Sequence, residues 1–460
     1  MMRRPPGLAY WLNDVPSAPI ALGLALQHLA IQAIYFVLPV TVVSGLTNDL
    51  SEIARFLCLS ILASAILQIL QLLMRGPIGA GYPIPASHGT ASIGAYFLTI
   101  QSGGNFSAIA AMVCLTGVGA IVVTFAMHRL RVLLPNEVAG VVVILIGVAL
   151  IGVAAGQLGL QPGGTPRDGA SVAIVVATIV VIMVVALRGG SAAPFAVLIG
   201  ALCGVALSVI LKEADPNAAA VVATSDWLAL PHPWLPDFRL VSATPMLGYI
   251  LALVAIQATA AGGLVVMQRA ADAAWTRPDP VPLRRGLLAN GVSIIAAGLI
   301  GGAAPGPASA AVGPTIAAGV MARRIVWVGV PLLLIVALCP KVLALFVLTP
   351  PPVKAAMLLY VAGFLMGQGC QLLAARLLDT RRMMIVATGL SGGILVAIAP
   401  QPFLTPVPAL SSPPSFGALI ALIVNLVTLP LVGARTAHLL TLDIAAGRTA
   451  RDWFAATAAS

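Results

Sequence analysis

A short phrase that occurs twice constrains the fold of this chain more than any other feature. Residues 83–87 read PIPAS and residues 305–309 read PGPAS, 222 positions later. Each copy interrupts apolar sequence and is followed by about 13 small or weakly polar residues, too few to cross a bilayer as a helix. Proline cannot donate to a backbone ladder, and the residue before it prefers extended geometry. Each copy therefore predicts an extended stretch that leads into a half-helix within the membrane.

These two stretches are called the first interrupted span (83–101) and the second interrupted span (305–322). Non-helical backbone at membrane depth is tolerated only where it is buried in protein or lines a polar cavity. Two interruptions at matching positions in two halves of a chain point to the binding site of a transporter. The alternative is a pair of tight turns between ordinary helices.

The composition is typical of an integral membrane protein. Hydrophobic residues make up 60% of the 460 residues and charged residues only 8%, whereas soluble proteins carry roughly 25% charged residues. The net charge of +10 does not indicate a nucleic acid partner, because the basic residues lie in short connections between apolar runs. The five cysteines show no CxxC spacing, so we expect no disulfide, metal or cofactor. A Ser–His pair at Ser87 and His88 lacks an acid partner, so we expect no enzyme.

Hydropathy over windows of about 20 residues predicts an all-α polytopic protein with fourteen spans. They are expected near 17–45, 53–74, 83–101, 106–127, 137–156, 170–187, 191–211, 246–268, 286–302, 305–322, 325–347, 351–374, 382–400 and 414–433. The chain then divides into an N-terminus (1–16), a first seven-span repeat (17–211), a polar connection (212–245), a second repeat (246–433) and a C-terminal tail (434–460).

The basic residues predict the orientation of these spans. With the N-terminus in the cytoplasm, 18 of the 24 Lys and Arg residues fall on the cytoplasmic side, which is the bias that membrane topology favours. The six on the other side are Arg55, Arg167, Lys212, Arg239, Lys341 and Lys354. Both termini are expected to be cytoplasmic, and the short loops suit a bacterial inner membrane.

A second pair of matching segments supports an internal repeat. Residues 135–138 (PNEV) open the fifth span, and residues 350–353 (PPPV) open the twelfth, 215 positions later. Because seven is odd, the second half enters the membrane from the opposite face, and the repeats are inverted. The two interrupted spans, three and ten, are then expected to meet near the middle of the membrane.

Small polar residues open both predicted half-helices and are the first candidates for a solute site. A helix N-terminus presents unpaired N–H donors and about half a positive charge, so two facing N-termini would bind carbonyl groups or an anion. Helix capping explains Ser87 and Ser309 as well, without any ligand. The residues assigned to the site here are Ser87, His88, Gly89, Thr90, Ser92, Ser309 and Gly313.

Polar side chains in the first and eighth spans form a second set of candidates. Gln257 and Thr259 in the eighth span are assigned to the solute site, although buried amides also serve to hold helices together. His28 and His88 lie well within predicted spans and are candidates for carrying a coupling proton, the alternative being a neutral structural role. All fourteen Asp and Glu residues fall in connections or at span edges. Transporter proton relays commonly use buried acids, so the coupling ion stays open.

Five motifs in a shared order carry a resemblance to a known family. They are residues 25–29 (ALQHL), residues 85–94 with Gly89-Thr90, residues 285–291 (RGLLANG) with Gly298, Gly301 and Gly302, Gly313 followed ten positions later by Arg323, and Pro340-Lys341 followed by residues 350–353. From about Ala21 to Val432 the chain resembles the nucleobase–ascorbate transporter family, the second class of nucleobase:cation symporters.

The resemblance implies an inverted 7+7 fold with two domains. A core domain would contain spans 1–4 and 8–11, a gate domain would contain spans 5–7 and 12–14, and the core would move against the gate, often in a homodimer. The family's acidic residue of the eighth span corresponds to Thr259 here. Its polar pair of the tenth span corresponds to Ala310 and Ala311, and Ala310 joins the predicted site on this basis.

These expectations define a secondary-active or facilitative transporter of a small planar polar solute. The resemblance implies a purine or pyrimidine nucleobase of the xanthine or uracil type, carried by elevator-like movement of core against gate. The alternative is an anion carrier resembling sulfate permeases without their C-terminal regulatory domain, because two positive helix ends and no acid suit an anion. The expected partners are the solute and the lipid bilayer, with no nucleic acid.

Overall fold

The computed structural model is mostly helical. It describes residues 3–6, 8–44, 46–47, 49–74, 76–88, 92, 95–96, 99–100, 102–130, 136–160, 168–188, 195–275, 278–307, 320–374, 379–399 and 413–428.

Fifteen α-helices, two 3₁₀ helices (Ile34–Phe36 and Phe238–Leu240) and two short strands have both ends within this part of the chain. In order, the α-helices and strands are α1 (Ala18–Ala33), α2 (Val37–Val43), α3 (Leu50–Leu72), β1 (Ala86–His88), α4 (Phe106–Leu130), α5 (Asn136–Gln157), α6 (Gly169–Arg188), α7 (Ala196–Ile210), α8 (Ala218–Thr224), α9 (Ala243–Ala271), α10 (Pro280–Ile300), β2 (Pro305–Pro307), α11 (Arg323–Leu338), α12 (Pro340–Val347), α13 (Pro351–Ala374), α14 (Thr380–Ile398) and α15 (Pro413–Thr428).

The helix ends follow local sequence signals. Asp49, Asp279 and Asp379 precede α3, α10 and α14, and each side chain accepts a hydrogen bond from a backbone N–H of the first turn. Pro280 occupies the first turn of α10, and Gly301 ends this helix with φ +82°, a left-handed conformation that glycine adopts without steric cost.

The described helices are long and apolar enough for a membrane protein. Seven of them could each cross a bilayer by length and composition, and α11 with α12 would make an eighth if counted together. The count of fourteen spans stays a prediction. The eleventh predicted span, near 325–347, is not one straight helix, because α11 and α12 meet at an angle of 76°. Pro340 starts α12 and cannot continue the hydrogen bonding of α11, so the chain bends at Cys339.

The helices pack into two groups. The first helix group contains α1–α4 and α9–α12, with close pairs α4–α10, α3–α10, α3–α11, α1–α11 and α4–α9. The second helix group contains α5–α7 and α13–α15, with close pairs α5–α13, α6–α7, α5–α14 and α6–α13. Helix α15 joins it through Gly417 and Ala421, which pack against α5 and α14. The groups also touch each other, through α9 with α5 and α13 with α2.

Glycines permit the closest crossing in each group. A Cβ atom at Gly117 of α4 would lie 2.9 Å from the carbonyl oxygen of Gly291, and one at Gly298 would lie 2.7 Å from that of Ala110. In the second group a Cβ at Gly369 of α13 would lie 2.8 Å from the carbonyl oxygen of Gly140 in α5. These are the small-residue contacts through which membrane helices gain van der Waals packing.

Candidate solute-binding site

The two proline-flanked phrases pair with each other. β1 and β2 run antiparallel, with Ala86 opposite Pro307, Ser87 opposite Gly306 and His88 opposite Pro305. The prediction of an extended stretch at each phrase is confirmed. In the first interrupted span Ala95, Tyr96, Thr99 and Ile100 are helical. The strand pair therefore places the two phrases side by side in the interior of the first helix group.

His88 anchors the end of β1. Its ring is buried, with Nε2 3.4 Å from Oγ of Ser64 in α3 and Nδ1 3.3 Å from the carbonyl oxygen of Tyr35. The ring of Phe36 meets it edge to face at 5.9 Å. Both ring nitrogens thus have protein partners, which fixes the orientation of the imidazole beside the strand pair.

The residues that lead into β2 are held by hydroxyl groups from two other segments. The backbone N–H of Ala303 donates to Oγ of Ser60 over 3.0 Å, and that of Ala304 donates to the phenolic oxygen of Tyr96 over 2.8 Å. Tyr96 meets Tyr249 of α9 edge to face at 5.8 Å. The first interrupted span and α3 therefore position the second.

A polar stripe on α3 faces this region. Gln68 donates to Oε1 of Gln32 in α1 over 2.7 Å, and Gln71 donates to the carbonyl oxygen of Gly286 over 3.0 Å. The stripe is built from residues three or four positions apart, which lie on one face of a helix. Its members are Ser60, Ser64, Gln68 and Gln71, all buried. Sequence reasoning missed them, although their spacing was visible in the second predicted span.

His28 is the other candidate for proton coupling. It lies in α1, one helical turn before Gln32, which accepts the hydrogen bond from Gln68 of the polar stripe. It is buried, and its carbonyl oxygen accepts a bond from Gln32 over 3.4 Å. Its Nε2 atom has no hydrogen-bond partner among the described residues. A buried polar atom without a partner is costly, so it is a place where a water molecule or a solute donor would be stabilised.

Gln257 ties three helices together. Its amide nitrogen donates to the carbonyl oxygen of Ala120 and to Oγ1 of Thr124, each over 2.9 Å, and its Oε1 accepts from Asn290 over 2.8 Å. Both N–H donors and the oxygen are used within the protein. These contacts favour the helix-holding role over the solute role, and the solute role stays a prediction.

The remaining predicted site residues are placed unevenly. Ser92 is buried in the first interrupted span, and Thr259 is partly exposed on α9 two residues beyond Gln257. Ser87 is the central residue of β1. Gly89, Thr90, Ser309, Ala310 and Gly313 lie outside the described residues.

A cavity of about 570 Å³ lies apart from the strand pair. It is bounded by α3, α8, α12 and residues 225–232, and no predicted site residue lines it. Its walls are mostly apolar, with Arg55, Asp226 and His232 among the polar exceptions.

Comparisons with known proteins agree with the motif order. A sequence profile of the permease family that includes xanthine and uracil carriers matches residues 20–401. The uric acid permease PucJ of Bacillus subtilis is 25% identical over 418 residues, covering 88% of this chain and 91% of the relative. The nucleobase transporter PlUacP of Paenibacillus larvae is 24% identical over 389 residues, covering 83% and 87%. The xanthine permease XanP of Escherichia coli is 23% identical over 456 residues, covering 92% and 95%.

Solved structures show the same fold at lower identity. The transmembrane domain of the cyanobacterial bicarbonate transporter BicA superposes with a TM-score of 0.56 at 14% identity, covering 90% of this chain and 99% of that one. The murine anion transporter Slc26a9 superposes with a TM-score of 0.61 at 13% identity, covering 91% and 69%. The family profile spans most of the chain, and its members are permeases rather than enzymes. The chain is an integral membrane protein that belongs to the xanthine/uracil permease family.

Proposed function

We propose that this protein transports a purine or pyrimidine nucleobase across the membrane. The observation that carries the proposal is the family match over residues 20–401, together with relatives named for uric acid, xanthine, uracil and nucleobases in general. The paired interrupted strands supply a compatible site, because adjacent strand ends offer backbone donors and acceptors to the edges of a flat heterocycle. The anion carrier is less favoured, since its support is a fold likeness at 13–14% identity.

The solute is proposed to bind where the predicted half-helices leave the strand pair. On this proposal Ser87, Ser92 and Ser309 offer hydroxyl groups, while Gly89, Ala310 and Gly313 leave room for a planar ring. His88 is proposed to shape the site from the side, since both its ring nitrogens already contact protein groups. The absence of an acid at Thr259 is proposed to favour bases rich in carbonyl groups, which need donors rather than acceptors.

Fourteen spans in an inverted 7+7 repeat are proposed for the whole chain. The helix contacts support it, because a repeat relates each span of one half to the span seven positions away in the other half. When both members of a contacting pair are replaced by these equivalents, the result is again a contacting pair. Spans four and nine (α4–α10) correspond to spans eleven and two (α11–α3), and spans one and eleven (α1–α11) correspond to eight and four (α9–α4). Spans thirteen and five (α14–α5) correspond to six and twelve (α6–α13). Antiparallel pairing of β1 with β2 is what a twofold axis between equivalent segments requires.

The proposed topology also places contacting connections on a common face. Glu137 pairs with Arg382 at 3.1 Å, and both are assigned to the cytoplasmic face. Arg55 donates to the carbonyl oxygen of His232, and both are assigned to the opposite face. The arginine bias then gives cytoplasmic termini, and the bacterial relatives support an inner-membrane location.

Movement of a core against a gate is proposed on the basis of the two helix groups. The helices of the first group come from predicted spans 1, 2, 4, 8, 9 and 11, and those of the second come from predicted spans 5–7 and 12–14. Strands β1 and β2 both lie within the first group, so the proposed site would travel with it. A homodimer stays a prediction of the family resemblance.

Uptake of labelled xanthine, uracil, hypoxanthine and urate tests the proposal, in cells without their own nucleobase carriers and with or without a protonophore. We expect saturable uptake of at least one base that unlabelled sulfate and bicarbonate do not inhibit. Ser309→Trp is expected to abolish it at unchanged protein amount. Loss of uptake with the protonophore would identify proton coupling and direct attention to His28 and His88. No uptake of any base, with saturable sulfate uptake instead, would refute the proposal.

A further inference from the structure

A second repeated phrase precedes the first span of each half. Residues 11–14 read WLND and residues 234–237 read WLPD, 223 positions later, which matches the offset of 222 between the interrupted spans. Residues 8–14 are called the first leading segment and residues 231–237 the second leading segment. Each precedes the helix that opens a predicted repeat, α1 or α9.

The first leading segment is paired with the end of the second interrupted span. Tyr10 and Val320 form a parallel bridge, the N–H of Met321 donates to the carbonyl oxygen of Tyr10 over 2.8 Å, and the N–H of Arg323 donates to that of Leu12 over 3.1 Å. The Arg323 side chain then donates through Nε to the carbonyl oxygen of Gly81 over 2.6 Å. The segment thus joins the end of the second interrupted span to the residues before β1.

The second leading segment makes the complementary contacts. The N–H of Asp237 donates to the carbonyl oxygen of Ser107 over 3.2 Å, and the indole of Trp234 stacks on Phe106 at 4.1 Å with an angle of 11°. Phe106 and Ser107 start α4, just after the first interrupted span. Trp234 also packs against Gly301, where a Cβ atom would lie 2.7 Å from the Trp234 carbonyl oxygen. Gly301 ends α10, just before β2.

The two segments share a plan but differ in detail. Each segment contacts the residues that end one interrupted span and the residues that precede the strand of the other. Trp11 donates from its indole nitrogen to the carbonyl oxygen of Ala271 over 2.8 Å, whereas Trp234 lies under the guanidinium of Arg55 at 3.8 Å. Leu12 is buried, but its counterpart Leu235 is 69% exposed. The shared role is carried by the backbone of each segment and by its tryptophan, since Trp11 packs against the cluster that contains Tyr82 and Met321.

Outside support matters because the strand pair is very short. β1 and β2 contain three residues each, and an isolated two-stranded pair is marginal by itself. Its geometry therefore depends on the surrounding contacts, including those that hold the ends of the two interrupted spans. An error of about 1 Å at a binding site can cost roughly a hundredfold in function.

We propose that the two leading segments are matched clamps on the interrupted spans, and that Trp11 and Trp234 are positioning residues for the solute site. The clamps stay closed while the first helix group moves, because they join parts of that group to each other. The inference rests on the proposed transport function, so one of its tests needs no transported solute.

The kinetic test compares Trp11→Ala, Trp234→Ala and Trp234→Phe with the matched control Trp227→Ala. Trp227 belongs to the same connection but is 76% exposed and lies outside the repeated phrase. We expect KM for nucleobase uptake to rise roughly tenfold in both alanine variants of the clamps. Trp234→Phe keeps a ring on Phe106 and is expected to restore KM to within about twofold. Unchanged KM, with only less protein in the membrane, would overturn the positioning role.

The solute-independent test uses a background in which the five native cysteines are replaced. A cysteine at Ser87 is labelled with a maleimide in the presence and absence of Trp11→Ala or Trp234→Ala. We expect either variant to change the labelling rate severalfold and Trp227→Ala to leave it unchanged. Equal rates in all variants would overturn the clamp even if transport itself is demonstrated. Absence of nucleobase uptake by the wild type, with altered labelling, would instead refute the proposed function and leave the clamp standing.

A disulfide locks the first clamp directly. Tyr10→Cys with Val320→Cys joins the two residues of the parallel bridge. Because the clamp is expected to stay closed during transport, the oxidised protein should transport at the rate of its reduced form. Loss of uptake on oxidation that reduction restores would overturn a permanently closed clamp.

Discussion

The two helix groups differ in how they use polar side chains. In the first group, hydrogen bonds cross between helices at depth, as in the Gln257–Asn290 pair and the Gln68–Gln32 pair. In the second group, the described buried polar residues bond within their own helix or at helix ends. Thr178 donates to the carbonyl oxygen of Ile174, and Glu137 pairs with Arg382 where α5 and α14 begin.

The first group therefore has helices joined by polar contacts in its interior, whereas the main interface of the second group is apolar. Interhelical hydrogen bonds in a low-dielectric interior fix the mutual orientation of helices, as a binding site requires. The α5–α13 crossing instead places Ile144, Met366 and Leu373 around its glycines. Helices that meet through an apolar face of this kind are held together by van der Waals packing. This contrast supports the proposal that the first group holds the solute and that the second is the surface against which the first moves.

The largest expected effect comes from filling the glycine crossing of the second group. In Gly369→Val the new side chain would meet the carbonyl oxygen of Gly140 at 2.8 Å and the backbone nitrogen of Ile144 at 3.0 Å. Overpacking of this kind costs about 1–3 kcal/mol or more, so we expect most of the folded protein to be lost. The fraction of monodisperse protein after detergent extraction measures this loss.

Gly367→Val is the matched control on the same helix. No atom lies within 4 Å of a Cβ built at Gly367, which faces outward on α13. Its folded fraction is expected to equal that of the wild type. An equal loss in both variants would mean that valine is harmful to this helix for reasons other than the crossing.

Next in size is the effect of His88→Phe on transport. The phenyl ring cannot accept or donate the contacts that join His88 to Ser64 and Tyr35, so the end of β1 is expected to shift. We expect uptake to fall by roughly two orders of magnitude while the protein stays folded. Thr178→Val, which removes a buried bond in the second group, should transport normally. Equal losses of uptake in the two variants would contradict the assignment of the solute site to the first helix group.

A double-mutant cycle at Gln257 and Asn290 measures one of the interhelical bonds. Gln257→Leu removes three hydrogen bonds and leaves the Asn290 amide without its partner, at a cost of about 1–3 kcal/mol. Adding Asn290→Leu removes the stranded donor, so the double variant should be less destabilised than the sum of the two single variants. Thermal unfolding in detergent gives the values.

The same cycle decides what Gln257 does for transport. If Gln257 only holds helices, the double variant recovers uptake along with stability. Additive losses of stability, or complete loss of uptake in a stable double variant, would return Gln257 to the solute site.

The smallest expected effect concerns the end of α9. The N–H groups of Arg3 and Ala274 donate to the Asp272 carboxylate, and these bonds lower its pKa below the ordinary value. A lowered pKa adds stability that is present above the unfolded value and is lost as pH falls through the folded value. We therefore expect proteolysis of residues before α1 to be constant from neutral pH down to about pH 4 and to increase below it. In Asp272→Asn, proteolysis of these residues should be faster than in the wild type at neutral pH and independent of pH in that acidic range.

Local signals in the sequence predicted part of this architecture. The proline phrases gave the extended stretches, and Asp279 with Gly301 marks the ends of α10 because caps act within one turn. The bend at Cys339 was missed, since hydropathy does not register the break that Pro340 introduces into an apolar run. The partners of Gln257 could not be predicted, because Asn290 is 33 positions away and a single sequence holds no distances.

Protection of a cysteine at Ser87 by a bound solute is the most direct test of a nucleobase site at the paired strands, in protein whose native cysteines are replaced. Maleimide labelling is measured with xanthine, uracil, urate or sulfate, beside a control cysteine at Ser225 in the connection before α9. We expect the transported base to slow labelling at position 87, sulfate to leave it unchanged, and position 225 to be unaffected by either. Labelling at position 87 that ignores every base, or that sulfate alone slows, would contradict a nucleobase site at the paired strands.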